Sequence, residues 1–507
     1  MRAVLVLAAA LAATSPLAAQ SDGSVARALN SITADDIRSR IGVIADDSMR
    51  GRDTPSPELE QTAEYIAGEF RRFGLAPGGD DGSFLQRYTL QQVQLDVAAS
   101  SISIAGGPTL RFEADVVRRS GSTGPEGVSA RVVAVSGAPS ETHPMPAIDA
   151  QGAIVLFVLP LDDQGGFTAS VGTMFQAITA AEPAVILLVA GQRTPAWDRR
   201  LAGQESPRLV TSWAQASGTV ILGVLDSTMA PFLDARGFSL ADARAQRDSG
   251  VQVTELGGLA MTVTVRTKVV DEISAPNTVG VIEGSDPSLK NEYIVFSAHM
   301  DHVGVRRPVE GDSIYNGADD DASGTIAIVE LAEAFSMLSP RPKRSLIFVT
   351  VSGEEKGLWG SDYFAANPPV PIERIVANVN IDMIGRNWTD TVVVIGKKHS
   401  DLGETLDRVN SAHPELGMTA IDDIWPEENF YFRSDHYNFA KRGVPILFFF
   451  TGTHEDYHQP SDHVDKIDAE KESRIVKLIF YLGLDIADGA ARPKWNPESY
   501  ERIVEGG

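Results

Sequence analysis

The 507-residue sequence predicts an α/β fold: a mixed, largely parallel sheet covered by helices, with a small β-rich domain inserted into it. Three observations predict it. From about residue 256, continuous apolar runs (NEYIVFSAH, RSLIFVTVSG, ANVNIDMIG, VPILFFFTG) alternate with helix-like segments (TIAIVELAEAFSML, SRIVKLIFYLGLDIADG). That is the pattern of strands buried on both faces. Over residues 96–255 the runs are shorter (RVVAVSG, AIVLFVLP, AVILLVAG, GTVILGVL) and separated by Gly, Pro and Asp turns, as in a β-rich domain with a few helices. Finally, 507 residues exceed what one ordinary core accommodates, so two or three domains are expected.

Residues 1–20 place a single Arg before an apolar run from Ala3 to Ala13 and a small-residue stretch ending near Ala19. This is the pattern of a secretory signal peptide, too short for a membrane span. Residues 21–95 are mostly helical and linking. The clearest helix is SPELEQTAEYIAGEFRRFGL, in which Leu59, Ala63, Ile66, Phe70 and Phe73 recur at helical spacing. Ser56 suits the N-cap, Pro57 the first helical position, Glu58 and Glu60 the positive end of the dipole, and Gly74 the close.

The charge balance, 44 − 68 = −24, argues against nucleic acid or an anionic membrane as a partner, since both reward a basic face. The chain has no cysteine, which excludes disulfides, a thiol nucleophile and a lipoprotein anchor. A soluble, secreted protein, periplasmic or extracellular, is expected.

In sheets of this kind ligands bind beyond the carboxyl ends of the strands. The residues that follow the apolar runs are His299 and Asp301, then Glu354 and Glu355, then Asp382, and finally His458; the acidic loop NGADDDASG lies between the first two runs. Singly, each has an ordinary reading: a lone histidine is usually structural, and aspartates before a helix usually cap it. Jointly they predict a metal centre. Asp319, Asp321, Ser323, Gly324 and Glu330 also fall on a calcium-loop grid, but no entering helix or partner loop accompanies it. Two histidines with several carboxylates suit zinc, and five ligands suit two ions sharing a bridging carboxylate. His302, His436, His454 and His463 lack ligand spacing and are expected to be structural or outer partners, with Asp435 a candidate for the same outer layer. Trp425, Phe430, Tyr431 and Phe432 either line a pocket or pack beneath their loop.

SAHMDHVG, NGADDDASG, VSGEEKGLWGSDYF, NIDMIGR, RSDHYNFAKRGVP and DYHQPSD, in that order, resemble the signature of metallopeptidase family 28, which includes dizinc aminopeptidases and glutamate-carboxypeptidase-like enzymes. The resemblance covers about 256–490 and extends to DDSMRGRDTPSPELEQTAEYIAGEF; the insert is similar to a protease-associated domain. It implies a zinc exopeptidase fold, with 21–95 as the N-terminal part of the peptidase domain and 256–507 as its main part. It further implies two Zn2+ per chain: His299 and Asp382 on one, Glu355 and His458 on the other, and Asp320 bridging. Asp301 would orient His299, Glu354 would be the general base, and Tyr457 would stabilise the oxyanion. The implied function is a secreted exopeptidase, most simply an aminopeptidase acting on peptides. A carboxypeptidase, a glutaminyl-cyclase-like enzyme and a non-catalytic binding protein on the same scaffold are the alternatives.

Overall fold

The computed structural model describes residues 16–162, 166, 168–213, 219–246 and 249–506, with side chains from residue 23 onward. Of the expected signal peptide, residues 1–15 lie outside the described residues. The chain divides into two compact units, Met1–Tyr88 with Ser274–Gly507, and Thr89–Ile273.

The first unit is built on strands β1 (Thr267–Ile282, whose second half belongs to this unit), β2 (Tyr293–His299), β3 (Ser345–Val351), β4 (Ile375–Ile381), β5 (Thr391–Ile395), β6 (Thr419–Ile421) and β7 (Ile446–Phe450). Their order is β1-β3-β2-β4-β7-β5-β6. The central four, β3, β2, β4 and β7, are parallel. β1 joins β3, and β5 joins β7, antiparallel.

Side chains alternate between two cores. Ile294, Phe296 and Ala298 join a cluster with Ile326, Phe335, Ile475 and Phe480, whereas Val295, Ile347 and Val349 join Phe364 and Phe439 on the other face. Each fully buried aliphatic or aromatic side chain contributes about 1.5–3 kcal/mol. Burial on both faces explains why these strands read as unbroken apolar runs. The helices of the first core include α1 (Pro16–Ser31), α2 (Ala34–Ile44), α3 (Pro57–Arg72), α4 (Gly324–Ser336) and α5 (Ala469–Asp488). α3 matches its sequence reading: Ser56 accepts a hydrogen bond from Leu59 N at 3.0 Å, and Leu59, Ala63, Ile66 and Phe70 are buried.

The second unit encloses the 96–255 insert read from the sequence. Its main sheet sets Val132–Ser136, Ile154–Val158, Val185–Val189 and Val220–Val224 in parallel, flanked by antiparallel Gln252–Glu255 and Val116–Ser120. One face of it shares a core with a four-stranded antiparallel sheet through Leu156, Leu187, Ile102 and Val263.

Two buried charges stand out in the first unit. The Arg52 guanidinium is wholly buried and donates only to carbonyls: Nε to Met300 (2.9 Å), Nη1 to Ile44 (2.7 Å) and Asn316 (2.6 Å), and Nη2 to Gly317 (2.9 Å). It thereby ties the chain after β2 to the acidic loop. Glu472 on α5 is wholly buried, and neither carboxylate oxygen has a hydrogen-bond partner among the described residues. Burial raises its pKa well above the ordinary value, Asp319 adds to this, and Lys471 opposes it.

Two predictions follow from these charges. Arg52→Met removes a donor from four carbonyls, of which only Gly317 O keeps another (Ala322 N, 3.2 Å), and should cost at least about 3 kcal/mol in denaturant unfolding, with Arg52→Lys recovering part of the loss. A carboxyl whose folded pKa is raised imposes no penalty below its unfolded pKa, and a growing one as pH rises toward its folded pKa. Glu472→Gln should therefore melt close to wild type near pH 4 and increasingly above it toward pH 8. An equal offset at both pH values would contradict the assignment.

Candidate metal centre and catalytic cavity

Four parallel strands end on one edge. His299 closes β2 in register with Val351 at the end of β3, and Ile381 at the end of β4 pairs with Phe449 of β7. Glu354 and Glu355 follow β3, Asp382 follows β4, and the loop after β7 carries Tyr457 and His458. His458 has φ +53°, a left-handed conformation that is costly for a side-chain-bearing residue and that concentrates at functional sites.

The three consecutive aspartates divide their roles. Asp319 Oδ1 accepts from Gly385 N (2.6 Å), and its Oδ2 faces His454 Nε2 at 3.1 Å. Asp321 accepts from Gly324 N at the start of α4 (2.9 Å), Met383 N (3.0 Å) and His299 N (3.1 Å). Asp321 is thus committed to backbone donors, capping a helix, and Asp319 to Gly385 N, the Ser323 hydroxyl and His454. Asp320 alone presents its oxygens to the strand ends. Its Oδ1 lies 3.3 Å from His299 Nε2, and its Oδ2 lies 3.1 Å from His458 Nε2. Glu330, the last position of the calcium-loop grid, instead pairs with Arg40 of α2 at 2.5 Å.

Around Asp320 two donor groups form. His299, Asp320 and Asp382 make one; His302, Asp320, Glu355 and His458 make the other. All five ligands expected from the sequence are brought together, and His302, which the sequence reading set aside, joins them. Its only signal was its place immediately after the HMD triplet at the end of β2. His302 Nδ1, Asp320 Oδ2 and Glu355 Oε1 are buried without a hydrogen-bond partner among the described residues. Buried polar atoms are normally paired, so orphans converging on one point are what a cation would satisfy. Imidazole with carboxylate is a donor set that fits zinc.

Neighbouring groups hold this arrangement. His299 Nδ1 donates to the backbone carbonyl of Asp301 at 3.1 Å, closer than the Asp301 carboxylate at 3.7 Å, so the carbonyl leaves Nε2 free as a donor atom for a cation. The Asp301 carboxylate accepts from Thr54 Oγ1 (2.9 Å) and from Glu354 N (3.3 Å), tying the Glu354 turn to β2. Ser434 Oγ donates to Asp382 Oδ2 at 2.8 Å. His436 donates to the Tyr431 carbonyl and stacks on Phe448; burial depresses its pKa to about 3. His463 is half-exposed and 3.9 Å from Asp312.

The electrostatics are those of crowded acids. Burial would raise Asp320, but His302, His299 and His458 outweigh it and hold this carboxyl well below its ordinary range. Burial would depress His299, but Asp382, Glu354 and Asp321 raise it well above the ordinary value. Glu354 is raised well above its ordinary value by burial, with Asp435, Asp382 and Glu355 adding and His299 opposing. Burial and nearby carboxylates also raise the Tyr457 phenol, which therefore keeps its proton. Asp435 is buried beside this set and is raised to about 7, chiefly by burial.

A cavity opens over His299, Asp320, Asp382 and Glu354, walled by Met383, Phe430, Phe448, Phe450 and Tyr457, with Arg433 at its side. Of the aromatic loop, Phe430 faces this cavity, Tyr431 is buried, Trp425 packs on Phe430 and Phe450, and Phe432 is exposed.

Comparison with known proteins agrees with this geometry. A probable zinc metalloprotease of Pyricularia oryzae is 27% identical over 48% of this chain and 55% of its own length. A probable leucine aminopeptidase of Arthroderma otae is 25% identical over 40% of this chain and 56% of its own. The chain thus matches about half the length of these curated relatives. An aminopeptidase from Aneurinibacillus sp. strain AM-1 superposes with a TM-score of 0.50 at 20% identity, covering 93% of this chain and 97% of that one, a likeness of fold. Residues 277–483 match the description Peptidase family M28. That segment holds both donor groups and Glu354, and it is the part of the chain that is similar to peptidase family M28.

Proposed function

We propose that this chain is an exported zinc-dependent exopeptidase, an aminopeptidase that removes N-terminal residues from peptides using two zinc ions, Glu354 as general base and Tyr457 as an oxyanion donor. The observation that carries this reading is the single carboxylate, Asp320, shared by two donor groups, one of which lines a cavity together with Glu354. Zinc bound to His299, Asp320 and Asp382 and to Glu355, Asp320 and His458 would supply Lewis acidity toward the scissile carbonyl and toward water. Glu354 would take the proton of the attacking water on its carboxylate and return it to the departing amine. Its raised affinity for a proton suits that exchange. The Tyr457 phenol, which keeps its proton, would donate to the oxygen that gains charge. Met383, Phe430, Phe448 and Phe450 would receive an apolar side chain. The export reading rests on residues 1–20, and the Thr89–Ile273 unit is proposed as a protease-associated-like insert.

Arg433 favours a second reading. Its guanidinium lies against the Phe430 ring at 4.8 Å on the cavity wall, where it could hold a substrate carboxylate. That would suit a carboxypeptidase of the same fold.

A panel of amino-acid p-nitroanilides, their amine-blocked counterparts and peptides with a free carboxyl terminus separates the two. The aminopeptidase reading expects cleavage of free-amine substrates, with apolar residues preferred, and none of the blocked ones; cleavage restricted to free carboxyl termini would reverse the assignment. Glu354→Gln should lower kcat by roughly 100- to 10,000-fold with zinc content unchanged. Zinc loss in that variant would move Glu354 into the ligand set.

A further inference from the structure

The two donor groups around Asp320 are unequal. One has three members, His299, Asp320 and Asp382, and the other has four, because His302 joins Asp320, Glu355 and His458. We propose that His302 is a direct ligand of the ion held by Asp320, Glu355 and His458. That position is then the closed one, and the His299–Asp382 position keeps the open coordination that substrate reaches. The proposal rests on the metal-centre reading above and adds a sixth protein ligand to it.

His302 is wholly buried, and neither ring nitrogen has a hydrogen-bond partner among the described residues. Its Nδ1 stands 2.9 Å from Glu355 Oε1 and 3.6 Å from Asp320 Oδ2. The closer approach is not aligned as a hydrogen bond, and both oxygens are themselves orphans. His458 Nε2 lies 3.1 Å from the same two oxygens, and its ring meets that of His302 edge-on at 5.5 Å. Four donor atoms from four chain segments therefore converge. A proton on His302 Nδ1 is aimed at neither oxygen, whereas a cation among the four atoms would be shared by all. The backbone makes room for this ring: at Gly317, φ +60°, an added Cβ would lie 2.5 Å from the His302 ring.

The cavity supplies an independent asymmetry. It is lined by His299, Asp320, Asp382 and Glu354, and neither His302, Glu355 nor His458 is part of its wall. Four protein donors complete a tetrahedral zinc site, while three leave a position for water or substrate. The open group thus faces this cavity, whereas the closed group shares only Asp320 with its wall and has Glu355 and His458 partly exposed outside it.

The test uses the full chain with isotope-labelled histidine, loaded with the spin-half cadmium isotope, because nitrogen–cadmium scalar coupling passes only through a bond. Coupling to three imidazoles is expected, one of them through His302 Nδ1. In His302→Gln one coupling should vanish, and chelator competition should show one cadmium position weakened by at least about 10-fold, the lower figure for losing even an outer partner of a ligand. The other position should be unchanged. Cadmium bound with coupling to only two imidazoles would overturn the proposal and leave the metal centre standing. No bound cadmium would overturn both. The coupling is read on the unaltered chain, so a variant that fails to fold does not obscure the answer.

Discussion

Carboxylate crowding is the constraint on which the rest of this structure depends. Asp301, Asp319, Asp320, Asp321, Asp382, Asp435 and Asp462 are all buried, in the segments after β2, β4 and β7, in the acidic loop and, for Asp435, at the start of the short helix His436–Ala440, with Glu354 and Glu355 beside them. Two unit charges 4 Å apart repel by about 4 kcal/mol at an effective dielectric of 20. A set of this size folds only if most of its members are stabilised individually.

The scaffold does this in layers. Asp319 and Asp321 receive backbone N–H donors from the start of α4 and from the chain after β4. Asp462 receives the N–H groups of Asp319 and Asp320 at 3.0 and 3.2 Å. Arg52 brings a full positive charge among Asp301, Asp320, Asp321 and Asp462 while spending its hydrogen bonds on carbonyls, so it balances the field without occupying the carboxylates that face the cavity. Asp320, Asp382 and Glu355 keep oxygens directed at histidines. Without a cation, raised imidazole pKa values at His299 and His458 supply the positive charge. A divalent ion bound there would take over that role and require the rings neutral, which would couple metal binding to proton release. Stability and function share one electrostatic cause here.

Much of this was legible in the sequence for a geometric reason. Continuous apolar runs report strands buried on both faces, and a parallel sheet places whatever follows those runs on one edge, so His299, Glu354, Glu355, Asp382 and His458 could be assembled before any coordinate was known. Asp320 was separable from its two neighbours only by the family resemblance; in the fold the distinction is physical, since the neighbours face backbone N–H groups. His302 was not legible as a member of the donor set, because adjacency to Asp301 says nothing of where a ring points after a strand has ended. Arg52 carries no periodic signal and acts through carbonyls far away in the chain. Glu472 lies on a helix whose pattern gives no reason to bury a charge. The orientation of His299 departs from expectation in detail: the Asp301 carbonyl, rather than its carboxylate, is the nearer partner of Nδ1.

The central claim is that Asp320 joins two metal positions into one centre. The most direct measurement is zinc content of the purified chain beside Asp320→Asn, by mass spectrometry after exhaustive dialysis, with circular dichroism to confirm folding. About two zinc ions per wild-type chain, as a bridged site requires, and depletion of both in the folded variant are the predicted result. No stoichiometric zinc in the wild-type chain, or a folded Asp320→Asn chain that keeps its full zinc content, would contradict the account.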